Sequence, residues 1–277
     1  MLGKVYIVGA GPGAADLLTL RAATLLRQAH VVLHDDLVPQ EILDLCPKSA
    51  QIVNVGKRCG RHGSSQEQIN ALMVWHATEG QPAGSEDRPP ESEQRTIVRL
   101  KSGDPAVFGR LGEELDALRR NGIQFEIVPG ITAAAAAASA AAVTLTDRRA
   151  ASALVIVTAH NCRDESLEKT IFDPSRSTYA IYMPGPDYGR TARELLQSGL
   201  EASTPCAVVS NAGRANQQTR FLTVAELASA RGIPAPALLI VGEVARETAQ
   251  APEHSFSEIS SVARDLYDYD APISLEN

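Results

Sequence analysis

The stretch VYIVGAGPG, residues 5–13, decides the fold, because a short apolar run passes directly into a glycine-rich turn. A G-x-G-x-x-A spacing starts at Gly9, and Asp35 or Asp36 follows at the end of a second apolar run, VVLHDD. In a nicotinamide-binding fold, an acid at that position holds a ribose hydroxyl. Pro12 argues against such a site, since it has no N–H to offer a pyrophosphate. A dinucleotide site and a tight strand-to-helix turn without a ligand both remain open.

The bulk composition is that of an ordinary globular protein of 277 residues, 44% hydrophobic and 21% charged. The formal net charge of −7 disfavours nonspecific binding of nucleic acid, so an anionic ligand needs a local group of cations. No apolar run reaches about eighteen residues, and a strand begins almost at the first residue. We therefore expect no membrane span and a cytoplasmic location. Four scattered cysteines predict reduced thiols and no bound metal.

Short apolar runs alternate with amphipathic stretches along most of the chain, which predicts an α/β fold with largely parallel sheets. The amphipathic stretches 16–29 and 113–122 are expected to be helices, the second ended by Asn121 and Gly122. The predicted strands are 4–9, 31–35, 51–55, 96–101, 124–128, 153–159, 178–183, 205–210 and 237–242.

The composition also suggests where the chain divides. We expect an N-terminal α/β domain over 1–113 and a C-terminal α/β domain over 114–247. Residues 79–95 are rich in proline, glycine, serine and charge, and they predict a mobile insert. The acidic residues 248–277 have little periodicity, which predicts a partly disordered tail.

The segment VRLKSGDPAVFGRLGEE, residues 98–114, is a strand that runs into Ser102, Gly103 and Asp104. Gly103 lets a ligand approach the backbone closely, and an acid at the carboxyl end of a strand can bind ribose hydroxyls or a cationic group. The alternative is an Asp–Pro turn that binds nothing.

The segment VPGITAAAAAASAAA, residues 128–142, predicts a turn followed by an alanine-rich helix with Thr132 as its cap. The N–H groups at the start of that helix suit a carboxylate. The alternative is that the small alanine side chains serve only close packing.

The segment VGKRCGRHGS, residues 55–64, concentrates Lys57, Arg58, Arg61 and His62 in one loop of a net-acidic chain. Such a basic loop indicates an anionic partner, and the alternative is an exposed surface loop.

These segments occur in the same order in the tetrapyrrole methylases, and the chain resembles that family from about residue 3 to 246. Within the family, the GKRCGRH block resembles the enzymes that methylate uroporphyrinogen III. The resemblance implies a two-domain α/β fold that binds S-adenosylmethionine in a cleft between the domains, usually as a homodimer. It also implies two successive ring-carbon methylations of uroporphyrinogen III, through precorrin-1 to precorrin-2, in sirohaem, cobalamin or modified-haem biosynthesis.

The resemblance assigns roles to individual positions of this sequence. The cofactor positions are Pro12, Ser102, Gly103, Asp104, Val107, Thr132, Ala133, Met183 and Ala212. The catalytic positions are Asp35, Lys57 and Arg110, of which Arg110 is expected to anchor a substrate carboxylate. The substrate-binding positions are Arg58, Arg61, Glu113 and Arg148.

Several residues depart from the family pattern: Ser102 replaces a glycine, Ala106 an aromatic residue, Asp147 a histidine and Pro184 a glycine. An asparagine-glycine-threonine turn of the family is also replaced, by residues 211–213. Three alternatives stay open beside the methylase of uroporphyrinogen III. They are another tetrapyrrole methylase, a nicotinamide-dependent oxidoreductase, and a non-catalytic protein that binds a tetrapyrrole or S-adenosylmethionine.

Overall fold

The structure of the chain, a computed structural model, describes residues 2–56, 64–78, 94–159 and 174–246. Lys57, Arg58 and Arg61 lie outside the described residues, as do most of the predicted insert and the tail. The predictions made for them stay predictions.

A five-stranded parallel sheet occupies the first half of the chain, in the order β3-β2-β4-β1-β5. Its core strands are almost fully buried because helices cover both faces of the sheet. The strands are β1 Lys4–Gly9, β2 Val31–His34, β3 Gln51–Asn54, β4 Thr96–Lys101 and β5 Phe125–Val128. The helices are α1 Leu20–Arg27, α2 Gln40–Leu43, α3 Gln66–Thr78 and α4 Leu111–Arg120.

A second five-stranded sheet follows, in the order β6-β7-β10-β8-β9. Only β6 and β7 run parallel; the other three pairs are antiparallel, so the prediction of largely parallel sheets is wrong here. The strands are β6 Ala153–Thr158, β7 Ser177–Tyr182, β8 Pro205–Ser210, β9 Gln218–Thr223 and β10 Ala237–Val241. The helices are α5 Ala133–Ala140, α6 Tyr188–Gln197 and α7 Val224–Leu227.

The first helix is shorter than predicted. The hydroxyl of Thr19 accepts a hydrogen bond from the N–H of Ala22 at 3.1 Å, so α1 begins at Leu20 rather than near residue 16. Ala15–Leu17 form a separate 3₁₀ turn before this cap. The helix predicted at 113–122 spans Leu111–Arg120, with Asn121 as its C-terminal cap. It ends there because Gly122, with a φ of 62°, adopts a left-handed conformation.

The mixed α/β architecture with two sheets confirms the predicted fold class. In the first sheet, the carboxyl ends of all five strands lie along one edge, where open α/β sheets bind their ligands. Within the described ranges, every helix is too short or too polar to cross a bilayer.

Candidate active site

The glycine-rich turn owes its composition to close packing of backbone against backbone. Gly11 and Gly103 exchange two hydrogen bonds, with N···O distances of 3.2 and 2.8 Å. A Cβ on Gly9 would lie 2.5 Å from the nitrogen of Gly130 and 2.7 Å from the carbonyl oxygen of Gly103. The glycines therefore allow the ends of β1, β4 and β5 to meet. The missing N–H of Pro12 is no defect in such a turn.

A pocket of about 270 Å³, called here the first pocket, opens beside this turn and is lined by loops from both sheets. All nine residues predicted to contact the cofactor line it: Pro12, Ser102, Gly103, Asp104, Val107, Thr132, Ala133, Met183 and Ala212. The fold thus brings together positions that are up to two hundred residues apart in the chain.

Asp104 holds the wall of the first pocket in shape. Its Oδ1 accepts a hydrogen bond from the N–H of Ala106 at 2.8 Å, and its Oδ2 accepts one from the N–H of Gly130 at 3.0 Å. One carboxylate therefore joins the loop after β4 to the turn after β5. Each oxygen keeps a second lone pair that can accept from a hydroxyl or ammonium group.

The start of α5 is capped by a tyrosine rather than by Thr132, whose side chain makes no cap hydrogen bond. The hydroxyl of Tyr182, at the end of β7, accepts from the N–H of Ala134 at 3.0 Å and lies 2.5 Å from the Thr132 hydroxyl. The Tyr182 ring also contacts Phe108, with 5.1 Å between ring centroids. Both aromatic rings line the first pocket, so the two sheets meet here through side chains.

A second pocket of about 270 Å³ adjoins the first and shares Asp35, Leu37, Ser102, Phe108 and Gly109 with it. Asp35, predicted as an acid/base residue, is the shared residue that carries a charge. Its Oδ1 accepts from Nη2 of Arg99 at 2.5 Å, and its Oδ2 accepts from the N–H of Ser102 at 3.2 Å. The carboxylate is therefore fixed where the two pockets join.

Behind Asp35 lies a cluster of charges that the sequence analysis missed. Glu114 is fully buried, and its Oε1 accepts from Nε of Arg99 at 3.0 Å and from Nζ of Lys101 at 2.8 Å. Burial, followed by repulsion from Arg99, lowers the pKa of Lys101. Although burial alone would lower it, the carboxylates of Asp35 and Glu114 raise the pKa of Arg99. We call Asp35, Arg99, Lys101 and Glu114 the charge cluster.

The second pocket is lined by three cations and by two acids, Asp35 and Asp36. Arg99, Lys101 and Arg110 all contribute to its wall. The guanidinium of Arg110 binds the carboxylate of Glu113 through two hydrogen bonds of 2.7 Å, and this contact lowers the pKa of Glu113. Both side chains are more than half exposed, so Arg110 remains accessible to an incoming anion.

The structure does not show the other predicted substrate-binding residues beside the two pockets. Arg148 is exposed and lines neither pocket. Lys57, Arg58 and Arg61 fall in the range 57–63, outside the described residues. The two residues that bound this range, Gly56 and Ser64, both line the second pocket.

Arg214 is a further site residue that the sequence analysis missed. It follows β8 in the second sheet, and its Nη2 donates to the carbonyl of Leu37 at 2.6 Å. Its Nε donates to the carbonyl of Pro12 at 3.4 Å. One side chain thus ties a loop of the second sheet to two loops of the first. Arg214 lies in none of the sequence motifs. Arg99 and Lys101 could have been grouped from the sequence, because alternate positions of a strand share a face.

Comparisons with known proteins find relatives over most of the chain. The sequence model of the family described as Tetrapyrrole (Corrin/Porphyrin) Methylases matches residues 4–228. The uroporphyrinogen-III C-methyltransferase of Paracoccus denitrificans is 43% identical over 250 residues, covering 88% of this chain and 82% of the relative. The sirohaem synthase 1 of Pectobacterium atrosepticum is 43% identical over 245 residues, covering 87% of this chain; the chain spans about half, 48%, of that relative.

A solved structure extends the similarity to three dimensions. The uroporphyrin-III C-methyl transferase of Thermus thermophilus, crystallised with S-adenyl homocysteine, superimposes with a TM-score of 0.71 and 34% identity. The match covers 88% of this chain and 94% of that protein. The chain belongs to the tetrapyrrole methylase family.

Proposed function

We propose that this chain is an S-adenosylmethionine-dependent C-methyltransferase that converts uroporphyrinogen III to precorrin-2 through precorrin-1. The observation that carries this proposal is the first pocket, which gathers all nine predicted cofactor residues. Relatives that share 43% of their residues with this chain are named for the methylation of uroporphyrinogen III and for sirohaem synthesis. The reaction is thus a step of tetrapyrrole biosynthesis.

The chemistry of the first pocket fits S-adenosylmethionine, which supplies an electrophilic methyl group on a sulfonium. Apolar residues such as Val107 and Met183 can pack against the adenosine. The lone pairs of Asp104 can accept from the ribose hydroxyls or from the amino group. Catalysis is then mainly alignment, because the methyl group already reacts readily with a carbon nucleophile.

The second pocket fits the substrate, a polycarboxylate macrocycle. Arg110 stands at its rim and can exchange its bond to Glu113 for a bidentate bond to a substrate carboxylate. We assign the binding of further substrate carboxylates to Lys57, Arg58 and Arg61, and an outer contact with the substrate to Arg148. This local concentration of cations is what an acidic chain needs to bind an anion.

Asp35 is the proposed acid/base residue at the junction of the two pockets. When the ring carbon bonds the methyl group, the carbon–sulfur electron pair stays with sulfur and the ring system becomes positive. The ring must then release a proton. The Asp35 carboxylate can stabilise the positive charge or accept the proton, with Lys57 as the second proposed acid/base group.

We also propose the domain division near residue 113, a homodimer and a cytoplasmic location. The two separate sheets support the division. The thiols of half-buried Cys46 and buried Cys206 are free, and burial raises the pKa of both, to about 12 for Cys206, so that they stay protonated and unreactive. The homodimer rests on family resemblance and is tested by light scattering of the purified chain.

Turnover tests the proposal directly. The purified chain, given S-adenosylmethionine and uroporphyrinogen III, is expected to yield a product in which two methyl groups have each replaced a proton, followed by absorbance and mass. S-adenosylhomocysteine is expected to raise the melting temperature, and NADH is not. Stabilisation by NADH alone would favour the oxidoreductase instead. Stabilisation by S-adenosylhomocysteine without turnover would leave a binding protein.

A further inference from the structure

The charge cluster connects the interior of α4 to the junction of the two pockets. Glu114 is the inner end: it is fully buried and binds Arg99 and Lys101 through a single oxygen, Oε1. Its Oε2 has no hydrogen-bond partner among the described residues. Asp35 is the outer end, with a side chain that is 29% exposed. Two cations and two carboxylates thus balance each other inside the protein.

Arg99 can fix the position of Asp35 relative to Glu114, because hydrogen bonds hold its guanidinium in one orientation. Its Nε donates to Glu114 and its Nη2 to Asp35. Its Nη1 donates to the carbonyls of Leu33 and Leu100, at 3.3 and 3.2 Å. The guanidinium is therefore held by acceptors on β2, β4 and α4, and its plane sets where the Asp35 carboxylate points.

Stability alone is a weak explanation for such a cluster, since well-packed apolar side chains often replace buried ion pairs without loss. The location of the cluster indicates a different purpose. Three of its members, Asp35, Arg99 and Lys101, line the second pocket, and Asp35 lines both pockets.

We propose that Glu114 is a positioning residue, which acts through Arg99 to hold Asp35 at the junction while Lys101 balances its charge. The inference rests on the proposed methyltransferase function. It assigns to Glu114 an effect on turnover although its side chain reaches neither pocket.

The test is a charge-balanced double variant, Glu114→Gln with Lys101→Met, because Glu114→Gln alone leaves two buried cations on one carboxylate. Its kcat is expected to fall about a hundredfold, as for a misplaced reacting group. Because Lys101 lines the second pocket, the KM for uroporphyrinogen III is expected to rise as well, whereas the affinity for S-adenosylhomocysteine is expected to stay within about threefold. Thermal unfolding verifies that each variant is folded.

A matched control is the pair Lys4→Met with Glu126→Gln. It removes the same two residue types from a 2.9 Å ion pair that also lies on the first sheet but lines neither pocket. This control is expected to keep its kcat. A comparable loss in the control would show that any charge pair of the sheet matters, and it would overturn the proposal.

A double-mutant cycle distinguishes positioning from general damage. In an Asp35→Asn background, the Glu114 and Lys101 substitutions are expected to change the single-turnover rate of labelled methyl transfer by less than about threefold. Equal losses with and without Asp35 would overturn the role of Glu114, as would a raised KM at unchanged kcat. Absence of methyl transfer by the unmodified chain would instead overturn the proposed function.

Discussion

At the scale of single residues, the first pocket depends on carboxylates that organise the backbone around it. Asp104 is the clearest case, since it bonds two N–H groups from two loops. Its position after a glycine, at the carboxyl end of β4, made it predictable from the sequence. Its two hydrogen bonds were not predictable, because they depend on how β4 and β5 meet.

We predict that Asp104→Ala weakens the binding of S-adenosylhomocysteine by about tenfold or more, since losing these hydrogen bonds costs on the order of 1–3 kcal/mol. Isothermal titration calorimetry measures the effect. Asp116→Ala is the control, because Asp116 is an exposed acid on α4 that lines neither pocket. An unchanged affinity in Asp104→Ala would remove this residue from the cofactor site.

We predict that Arg110→Ala lowers kcat/KM for uroporphyrinogen III by about ten- to a hundredfold, the value of a charge-assisted hydrogen bond. The fold is expected to survive, because the side chain is 55% exposed. Arg119→Ala serves as the control, as Arg119 is an exposed arginine at the other end of α4. Near-normal turnover by Arg110→Ala would contradict its role as the carboxylate anchor.

At the scale of elements, α3 carries a buried titratable group. His76 is 2% exposed, and its Nδ1 finds no hydrogen-bond partner among the described residues. Burial, with a smaller contribution from Arg95, lowers its pKa from 6.5 to about 4. The neutral imidazole is therefore the form that the fold accepts.

The pH dependence of stability follows from this pKa. Between about pH 6.5 and 4 the unfolded chain binds a proton at His76 that the folded chain refuses, so stability falls as the pH falls. We predict a loss on the order of 2 kcal/mol over this window. Urea unfolding at several pH values measures it. The variant His76→Phe is expected to lose this part of the acid sensitivity, and an unchanged slope would contradict the prediction.

The elements also show what the sequence can and cannot predict. The strands of the first sheet were found to within one residue, because buried parallel strands are continuous apolar runs. The edge strand β9, Gln218–Thr223, was missed because its sequence, QTRFLT, begins with three polar residues and has only Phe221 and Leu222 as an apolar run. Without β9, the β8–β9 hairpin could not be predicted. The antiparallel pairing of β10 with β7 and β8 was missed for another reason, because apolar runs locate strands without giving their directions.

The candidate site was also only partly predictable from the sequence. The predicted cofactor residues, which lie inside recognisable motifs, line the first pocket together, because the carboxyl ends of parallel strands converge. Nothing in the sequence distinguishes Glu114 from its neighbour Glu113 as a buried residue. Glu114 becomes buried only through the packing of α4 on β4. Arg214 could not be predicted either, because its role depends on hydrogen bonds to loops of the other sheet.

At the scale of the whole molecule, Arg214 joins the two halves beside the first pocket. We predict that Arg214→Ala lowers the affinity for S-adenosylhomocysteine about tenfold, because the loops of Pro12 and Leu37 lose a shared donor. Calorimetry with Arg220→Ala as the control checks this. Arg220 makes a hydrogen bond within the second half, to the carbonyl of Arg231 at 3.0 Å. Equal effects of both variants would contradict a joining role.

Charge distribution gives the last prediction. The net charge of −7 repels a polyanion at long range, and this repulsion is already screened at 0.1 M salt, where the Debye length is about 10 Å. Raising the salt from 0.1 to 1 M then weakens mainly the short-range attraction of the cations at the second pocket. We expect the KM for uroporphyrinogen III to rise while that for S-adenosylmethionine changes little, as measured by initial rates. A parallel rise of both would contradict this division of charge.

The helix α3 and the strand β4 meet the start of β1 at the edge of the first sheet that lies away from the pockets. There the N–H of Gly3 donates to the carbonyl of Ala77 at 2.8 Å, and Nε2 of Gln94 donates to the carbonyl of Leu2 at 3.1 Å. Thr78 and Gln94, the described residues on either side of the range 79–93, therefore lie at the edge of the first sheet opposite the pockets. A fluorophore or an affinity handle attached at Thr78 or Gln94 would let the protein be anchored to a surface with the proposed active site facing the solution.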